Sequence, residues 1–471
     1  MRIYNTLTRK IEEFRPINLP NVGMYTCGMT VYDYAHIGHA RTYVFADILR
    51  RVLTFNGFEV KQVENVTDVG HLTEADISDE GEDKVEKAAR EERKSAWEIA
   101  KFYMDDFYQM TDKLNILRPT VICRATDHIK EQIEMIKKLE KKGFTYRIDR
   151  GVCFDTSKFP TYADFARLDL KGIKVGARVE RDPQKKNPTD FWLWKFSEPG
   201  IKRQMEWDSP WGRGFPGWHI ECSAMSIKYL GEHFDIHTGG VDHIPVHHTN
   251  EIAQNEALYK HKVVNYWCHG EHLIIEGQKM SKSLKNFIRV VDLERKGFDP
   301  PALRYLFLTT HYRSKMNFTW KGLEAGQTAY RKLVEMIKEW QRGDREVVSQ
   351  EDVLKIDSFR KKFQEKINDD LNIPEALAVV WEVAKSNIPS PDKLDLVLDF
   401  DKVLGLKLEE VSKVTKVSKV PKEIKELIEK RELLRKQEKW DEADRTRKEI
   451  EKSGFIIEDT PEGPKVKKKA L

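Results

Sequence analysis

Long apolar runs are missing from this 471-residue chain. No stretch reaches the roughly 18–20 apolar residues that a bilayer-spanning helix needs, so no membrane span is expected. The opening MRIYNTLTRKIEEF lacks the apolar segment of a signal peptide, and a cytoplasmic enzyme is the expectation. Cysteine is scarce, with five residues in all. Cys27, Cys123, Cys153, Cys222 and Cys268 are too dispersed for a disulfide framework; in a reducing compartment they read as thiols, serving as metal ligands or small buried hydrophobes. Charge of one sign is also lacking over most of the chain. The whole carries a net +4, and residues 410–471 hold 18 basic against 14 acidic side chains, so the remainder is balanced at 63 of each. A basic tail on a neutral body suits a polyanionic partner, and it equally suits a solvated helix surface.

What is present falls into segments. The length favours about three domains. Val22–Cys27 reads as a short buried strand, 42–55 as a helix, Asn56-Gly57 as a turn and 58–65 as a second strand. Strand, helix, strand in that order predicts a βαβ unit and hence an α/β fold with a parallel sheet. Residues 76–95 are almost wholly polar and predict an exposed loop leading into a helix. Prolines and aromatics crowd the stretch 123–215, which reads as an inserted subdomain, and apolar patterning resumes at 234–236 and 263–275. Beyond about 320 the pattern turns helical over 323–340, 355–367 and 374–383. A linker at 413–419 precedes one charged helix from 421 to about 452, Gly454 ends it, and FIIEDTPEGP reads as strand plus turn.

Three groups of residues carry chemistry. His36-Ile37-Gly38-His39 follows the first strand and opens a helix. A helix N-terminus presents free N–H groups and a positive dipole end to phosphate, Gly38 lets a nucleotide approach the backbone, and the two imidazoles can donate to phosphate oxygens. Taken alone, the same four residues also read as two ordinary surface histidines. Lys279-Met280-Ser281-Lys282-Ser283 places two lysines in a small-residue loop, suited to a cationic flap over a triphosphate or to a common solvated loop. Cys27, Cys222, His247 and Glu251 offer thiolate, imidazole and carboxylate, all acceptable to Zn²⁺, with His247 and Glu251 four apart on one helical face. Their long-range spacing is no zinc signature in itself, and buried cysteine is usually core.

The first two groups in this order, about 240 residues apart, resemble the HIGH and KMSKS signatures of class I aminoacyl-tRNA synthetases. The blocks MYTCGMTVYDYAHIGHARTYV, FPGWHIECSAMS, FDIHTGGVDHIPVHHTNEIAQ, NDDLNIPEAL and EKWDEADRTRKEIEKSGFIIEDTPEGP resemble the cysteinyl-tRNA synthetase family over nearly the whole chain. The resemblance implies a Rossmann-like catalytic domain with an inserted subdomain, then a helical bundle and a small α+β anticodon-binding domain. It divides the chain into catalytic halves at 1–122 and 216–299, an inserted connective subdomain at 123–215, a stem-contact region at 300–325, a bundle at 326–410 and a C-terminal domain at 411–471. It implies ATP-dependent activation of L-cysteine to cysteinyl-adenylate, with pyrophosphate release, and transfer to the 3' end of tRNA(Cys). His36, His39, Lys279 and Lys282 would be catalytic, and ATP would contact His36, Gly38, His39, Lys279, Ser281 and Lys282. One zinc ion would sit on Cys27, Cys222, His247 and Glu251 and bind the substrate as its thiolate. Mg²⁺ would accompany ATP. Thr67, Trp218 and His219 would face the cysteine, and Arg435, Asp444 and Asp459 would read the anticodon. The resemblance also implies a monomer. Zinc suits this task because cysteine and serine are near-isosteres that an apolar pocket separates by only about 1–3 kcal/mol, whereas a soft metal prefers sulfur.

The sequence departs from that pattern in places. Residues 69–82 are inserted between Asn65-Val66-Thr67-Asp68 and Asp83-Lys84; His71, Glu74 and Asp76 in the insertion are ligand types, but the segment reads as a solvated loop. Thr238 takes the place of a glycine in the family's HGGG run, and His243 and Val246 replace apolar or aromatic residues. Two other functions share parts of the pattern. A cysteine ligase of the mycothiol pathway would use the same adenylation without a tRNA-reading tail, and a non-catalytic zinc-containing RNA-binding protein would have no reason to keep both ATP motifs.

Overall fold

Buried, largely apolar runs build the central sheet. The computed structural model describes the whole chain except residues 73–80, 169–181, 199, 201–202, 281–283, 285, 344–347, 412–421, 438, 461–462 and 469–471. The core elements are β1 (Asn21–Thr26), α1 (Ile37–Phe55), β2 (Glu59–Val66), β3 (Val121–Arg124), α2 (Trp218–Leu230), β4 (Phe234–Gly240), α3 (Thr249–Tyr259) and β5 (Val264–Gly270). The five strands pair in the order β5-β4-β1-β2-β3, all parallel, with Ile236 beside Met24, Tyr25 beside Val63 and Val63 beside Val121. Both faces are covered, so β4 is buried along its whole length and does not alternate. This is the doubly wound order, and its reversal falls between β1 and β4, where the carboxyl ends of the strands leave a crevice.

The expected βαβ unit is present: β1, α1 and β2 follow the predicted segments, and Gly57 turns the chain with φ of 87°. α1 buries Ile37, Ala40, Val44, Ile48, Leu49 and Val52, the i, i+4 stripe that fixes it on the sheet. Between β3 and α2 the chain forms an antiparallel sheet of four strands, from Thr145–Ile148 through Gly151–Phe154 and Phe191–Phe196 to Gly214–Pro216. Its apolar face, with Phe154, Phe191, Leu193 and Trp194, packs on Ile136 and Leu139 and on Ile220 and Ala224 of α2.

Helices Pro300–Leu308, Trp320–Trp340, Gln350–Ile367, Ile373–Lys385 and Ser390–Leu404 follow. A buried ionic hub ties them to α1. Arg304, without exposed surface, pairs with Asp47 and donates to the carbonyls of Leu404, Leu114 and Asn115, while Arg51 reaches the same carboxylate at 2.8 Å and donates to the Lys402 carbonyl. Burial would raise the Asp47 pKa, and the two guanidinium groups outweigh it and hold it low.

Residues Met1–Leu408 form one compact unit and Glu409–Leu471 a second. The second unit corrects one expectation. The single charged helix is two helices, Lys422–Lys436 and Trp440–Lys452, followed by the hairpin Phe455–Thr460 and Gly463–Lys468. The break lets Ile424 of the first helix and Ile450 of the second meet Ile457 in one small core, which a continuous rod would leave in water. Among the described residues no helix is long and apolar enough to cross a membrane.

Replacing Asp47 with Ala leaves two buried guanidinium groups without their carboxylate, and breaking a buried pair in this way costs about 3–5 kcal/mol. Urea unfolding of Asp47→Ala should show a loss of that order; a loss below about 1 kcal/mol would remove the hub from the account of stability.

Candidate active site at the switch point

The crevice between β1 and β4 gathers the sequence candidates. Cys27 directly follows β1, Cys222 lies one turn into α2, and His247 and Glu251 flank the start of α3. All four are buried. Cys27 Sγ lies 4.0 Å from Cys222 Sγ and 3.9 Å from Glu251 Oε1. His247 Nε2 lies 3.4 Å from Cys222 Sγ and 3.2 Å from Glu251 Oε1. A tetrahedral zinc with bonds of about 2.0–2.3 Å needs ligand atoms about 3.3–3.8 Å apart. The donor set fits such an ion in type, and its atoms, all within 4.8 Å of one another, lie close to that spacing.

Glycines enforce the close packing around it. A Cβ on Gly28, next to Cys27, would lie 1.4 Å from the Asn65 carbonyl oxygen, and one on Gly217, ahead of Trp218, would lie 2.0 Å from that of Trp192.

The electrostatics depend on imidazoles. Burial pushes the Cys27 thiol up to about 11 and the Cys222 thiol well above its usual range. Burial also works against the charged forms of His247 and Glu251. For His247 the neighbouring Cys222 and Glu251 outweigh it and hold the pKa up at about 10; for Glu251 His237 and His247 outweigh it and hold the pKa at about 2. His219, neutral because burial drives its pKa far down, has Nδ1 2.9 Å from His247 Nδ1. It therefore accepts from His247, whose opposite nitrogen Nε2 faces the Cys222 thiol and the Glu251 carboxylate. His237 Nε2 donates to Glu251 Oε2 at 3.0 Å. This is the outer support that metal-binding imidazoles and carboxylates generally require.

Sequence reasoning missed two residues here. His237 and His248 form, with Cys27 and Glu251, a second group of four potential ligands that shares half of the first. His248 Nε2 lies 3.3 Å from Cys27 Sγ, and its Nδ1 lies 2.7 Å from His269 Nε2, which continues to Thr6. The available signal was the run of histidines at 237, 243, 247 and 248, which a hydropathy pattern does not distinguish from core.

Trp218 stacks on His247, with ring centroids 4.2 Å apart, and Thr67 is buried at the end of β2, where its hydroxyl accepts from Asn65. Thr238, in place of glycine, spends its hydroxyl on Thr26 at 3.1 Å.

The start of α1 differs from expectation. Its N–H groups are not free: those of Gly38 and His39 donate to His36 Nδ1, and that of Ile37 to the Ile288 carbonyl. His36 is the cap of its own helix, and Gly38 is required because a Cβ there would lie 2.9 Å from the His36 ring. His39 Nδ1 accepts from the His36 backbone N–H, and the two rings stack at 3.6 Å. Burial pulls the pKa of His36 down to about 4 and of His39 to about 3, so both are neutral and both carry their proton on Nε2. The site therefore offers two parallel imidazole donors instead of bare helix amides.

The second lysine-bearing motif comes to the same place. The Met280 methyl would lie 3.6 Å from a Cβ on Gly38, and Phe287 meets the His36 ring edge-on at 5.2 Å. Lys279 is exposed at the end of a two-residue strand, while Ser281 and Lys282 lie outside the described residues.

The insertion corrects another expectation. Glu74 and Asp76 lie outside the described residues, but His71 is not solvated: it is buried and stacked on Trp218. Residues 84–92 form a helix burying Val85, Ala88 and Ala89. In the second unit Arg435 is half-buried on the first helix, Asp444 is exposed on the second, and Asp459 lies in the first hairpin strand.

A parallel sheet of this order with a nucleotide-type motif at its switch point defines the class. Residues 13–328 match the model of the "tRNA synthetases class I (C) catalytic domain", and residues 362–387 match the DALR domain. The fold is shared with the LeuRS of a LeuRS–tRNA ternary complex from Agrobacterium radiobacter K84, at a TM-score of 0.63 and 10% identity over 87% of each chain. It is also shared with methionyl-tRNA synthetase of Mycobacterium tuberculosis, at 0.56 and 13% over 84% of this chain and 91% of that one. The chain is 50% identical to cysteine–tRNA ligase 1 of Burkholderia lata over 99% of its own length and 96% of that protein. It is 46% identical to the cysteine–tRNA ligase of Treponema denticola, over 88% and 87% of the two chains. The chain belongs to the cysteine–tRNA ligase family, enzymes of the aminoacyl-tRNA synthetase class.

Two outcomes follow. Cys222→Ala should abolish zinc retention after dialysis against a chelator, and His237→Ala should weaken it by about 10- to 100-fold; full zinc content in both would dissolve the ligand set. The second concerns acid. An unfolded histidine titrates near 6.5, so stability contributed by neutral His36 and His39 is complete above about pH 6.5 and is lost as pH falls toward 4. The urea midpoint should fall across that window, and less steeply in a His36→Asn/His39→Asn variant; identical slopes would refute the assignment.

Proposed function

We propose that the protein activates L-cysteine with ATP, releasing pyrophosphate, and transfers the cysteinyl group from the adenylate to the 3' end of tRNA(Cys). The observation that carries this reading is the buried set Cys27, Cys222, His247 and Glu251, placed at the switch point beside the stacked pair His36 and His39. Family membership supports the same reaction.

Attack of a carboxylate oxygen on the α-phosphorus of ATP builds negative charge on the phosphate oxygens. His36 and His39, neutral with Nε2–H outward, supply hydrogen bonds to that charge without carrying a proton away. Lys279 and Lys282 add positive charge toward the leaving pyrophosphate, and Met280, Phe287 and Ile288, near them in sequence, pack on the start of α1. Mg²⁺ would accompany ATP.

Bound to the four-residue set, a zinc ion offers a soft Lewis-acidic site to a thiol sulfur and a poorer one to a hydroxyl oxygen. The protein's part is orientation. His219 keeps His247 turned with Nε2 inward, His237 keeps the Glu251 carboxylate ionised, and Trp218 covers the His247 ring. Specificity for cysteine over serine then needs no editing step.

We place tRNA contacts on the basic segment 411–471, with Arg435, Asp444 and Asp459 as anticodon-reading residues, and on the stem-contact region at 300–325; the bundle at 326–410 lies between them in sequence. The catalytic halves are 1–122 and 216–299 around the insertion 123–215. The protein acts as a cytoplasmic monomer. A ligase transferring cysteine to an amino sugar would share the activation step but would have no use for the unit Glu409–Leu471.

Purified protein with ATP, cysteine and labelled pyrophosphate should exchange label into ATP, and should charge tRNA(Cys). Absence of cysteine-dependent exchange at any zinc level would overturn the reading; exchange with transfer only to an amino sugar would replace it with the other ligase. Asp444→Ala should lower charging while leaving exchange unchanged.

A further inference from the structure

Outside the residues already assigned, one group stands at the site with no role. His71, from the inserted segment, lies flat on Trp218, with centroids 4.0 Å apart and planes 10° from parallel. Trp218 in turn stacks on His247. Three rings thus form a continuous pile from the insertion to a candidate metal ligand.

The outermost ring is held at both nitrogens. Lys84 Nζ lies 2.9 Å from His71 Nε2, and an ammonium can only donate, so Nε2 accepts. Nδ1 then carries the proton and donates to Thr30 Oγ1 at 2.7 Å. Thr30 belongs to the segment joining Cys27 to His36, which is itself laid along Thr67 through a parallel bridge. Lys84 opens the helix Lys84–Glu92, and its backbone N–H donates to the His71 carbonyl at 3.0 Å. Asp83 closes the base of the insertion: it accepts from the Gly70 N–H, caps the same helix and meets Arg203 at 3.3 Å. Tilt and sliding of the imidazole are therefore blocked by two chain segments and a helix terminus. Such restraint exceeds what a filler of apolar space needs.

We propose that His71 is a positioning residue of the amino-acid site: it fixes the plane of the Trp218 indole, and through it the His247 imidazole, so that the metal ligand and the wall of the cysteine pocket are set together. The stretch of the insertion at Gly70-His71-Leu72 is thereby part of the site. This rests on the cysteine-activating reading above.

The test uses the full-length zinc-loaded protein and the variants His71→Ala, His71→Phe and Lys84→Met. His71→Ala should lose zinc to a competing chelator about 10-fold more readily, as removal of outer support does elsewhere. It should also raise KM for cysteine in pyrophosphate exchange about 10-fold, with kcat and KM for ATP within about twofold. His71→Phe keeps the stack without the hydrogen bonds and should restore most of both; Lys84→Met keeps the ring but loosens it and should fall between. Unchanged zinc retention and cysteine KM in His71→Ala would overturn the proposal. So would a uniform fall in kcat with a lowered unfolding midpoint that His71→Phe does not rescue, since that marks mere packing. If His71→Ala does not fold, Lys84→Met decides: wild-type zinc retention and cysteine KM in it would overturn the proposal. Absence of exchange in the unaltered protein would instead defeat the reading of function, while the chelator experiment would still judge the stack.

Discussion

The site rests on keeping one carboxylate ionised without water. Glu251 is fully buried beside two thiols, a setting in which an isolated charge would cost several kcal/mol and would protonate instead. His237 and His247 prevent this, one at each carboxylate oxygen. Their own placement depends in turn on β4 and on the residues ahead of α3, which the register of β4 against β1 sets in the crevice. A dication on the same donors would take over the neutralising role.

The start of α1 solves the opposite problem. In the proposed reaction the charge would come with ATP, and the groups held ready at this helix start are neutral. The stacked His36 and His39 are deprived of protons by burial, and capping the helix with His36 Nδ1 turns the remaining proton outward. Met280 and Phe287-Ile288, which flank Ser281, Lys282 and Ser283 in sequence, both pack on this helix start. The hub of Asp47, Arg51 and Arg304 then holds the body of α1 to the helical region. Displacing that helix would disturb both halves of the crevice at once.

Much of this was legible in the chain alone. The βαβ opening, the helical texture after about 320 and the ligand types at Cys27, Cys222, His247 and Glu251 follow from local periodicity and residue chemistry, which act over a few positions. Strand register, ring stacking and capping do not. The helix break between Lys436 and Trp440 was missed because charge patterning is the same for one long helix and for two, and only the burial of Ile424 against Ile450 separates them.

The sequence by itself determined which chemical groups exist and the class of sheet that would carry them, because composition, spacing and short-range pattern are properties of the chain. The tertiary structure alone decided that His237 supports Glu251, that His36 occupies the helix amides expected to be open, and that His71 from a polar insertion lies buried on Trp218. The first and last depend on which way a side chain points across a crevice formed by segments that only strand pairing and helix packing bring together. The His36 cap is local, but its ring direction is set by packing against Phe287 and His39 and leaves no trace in residue pattern.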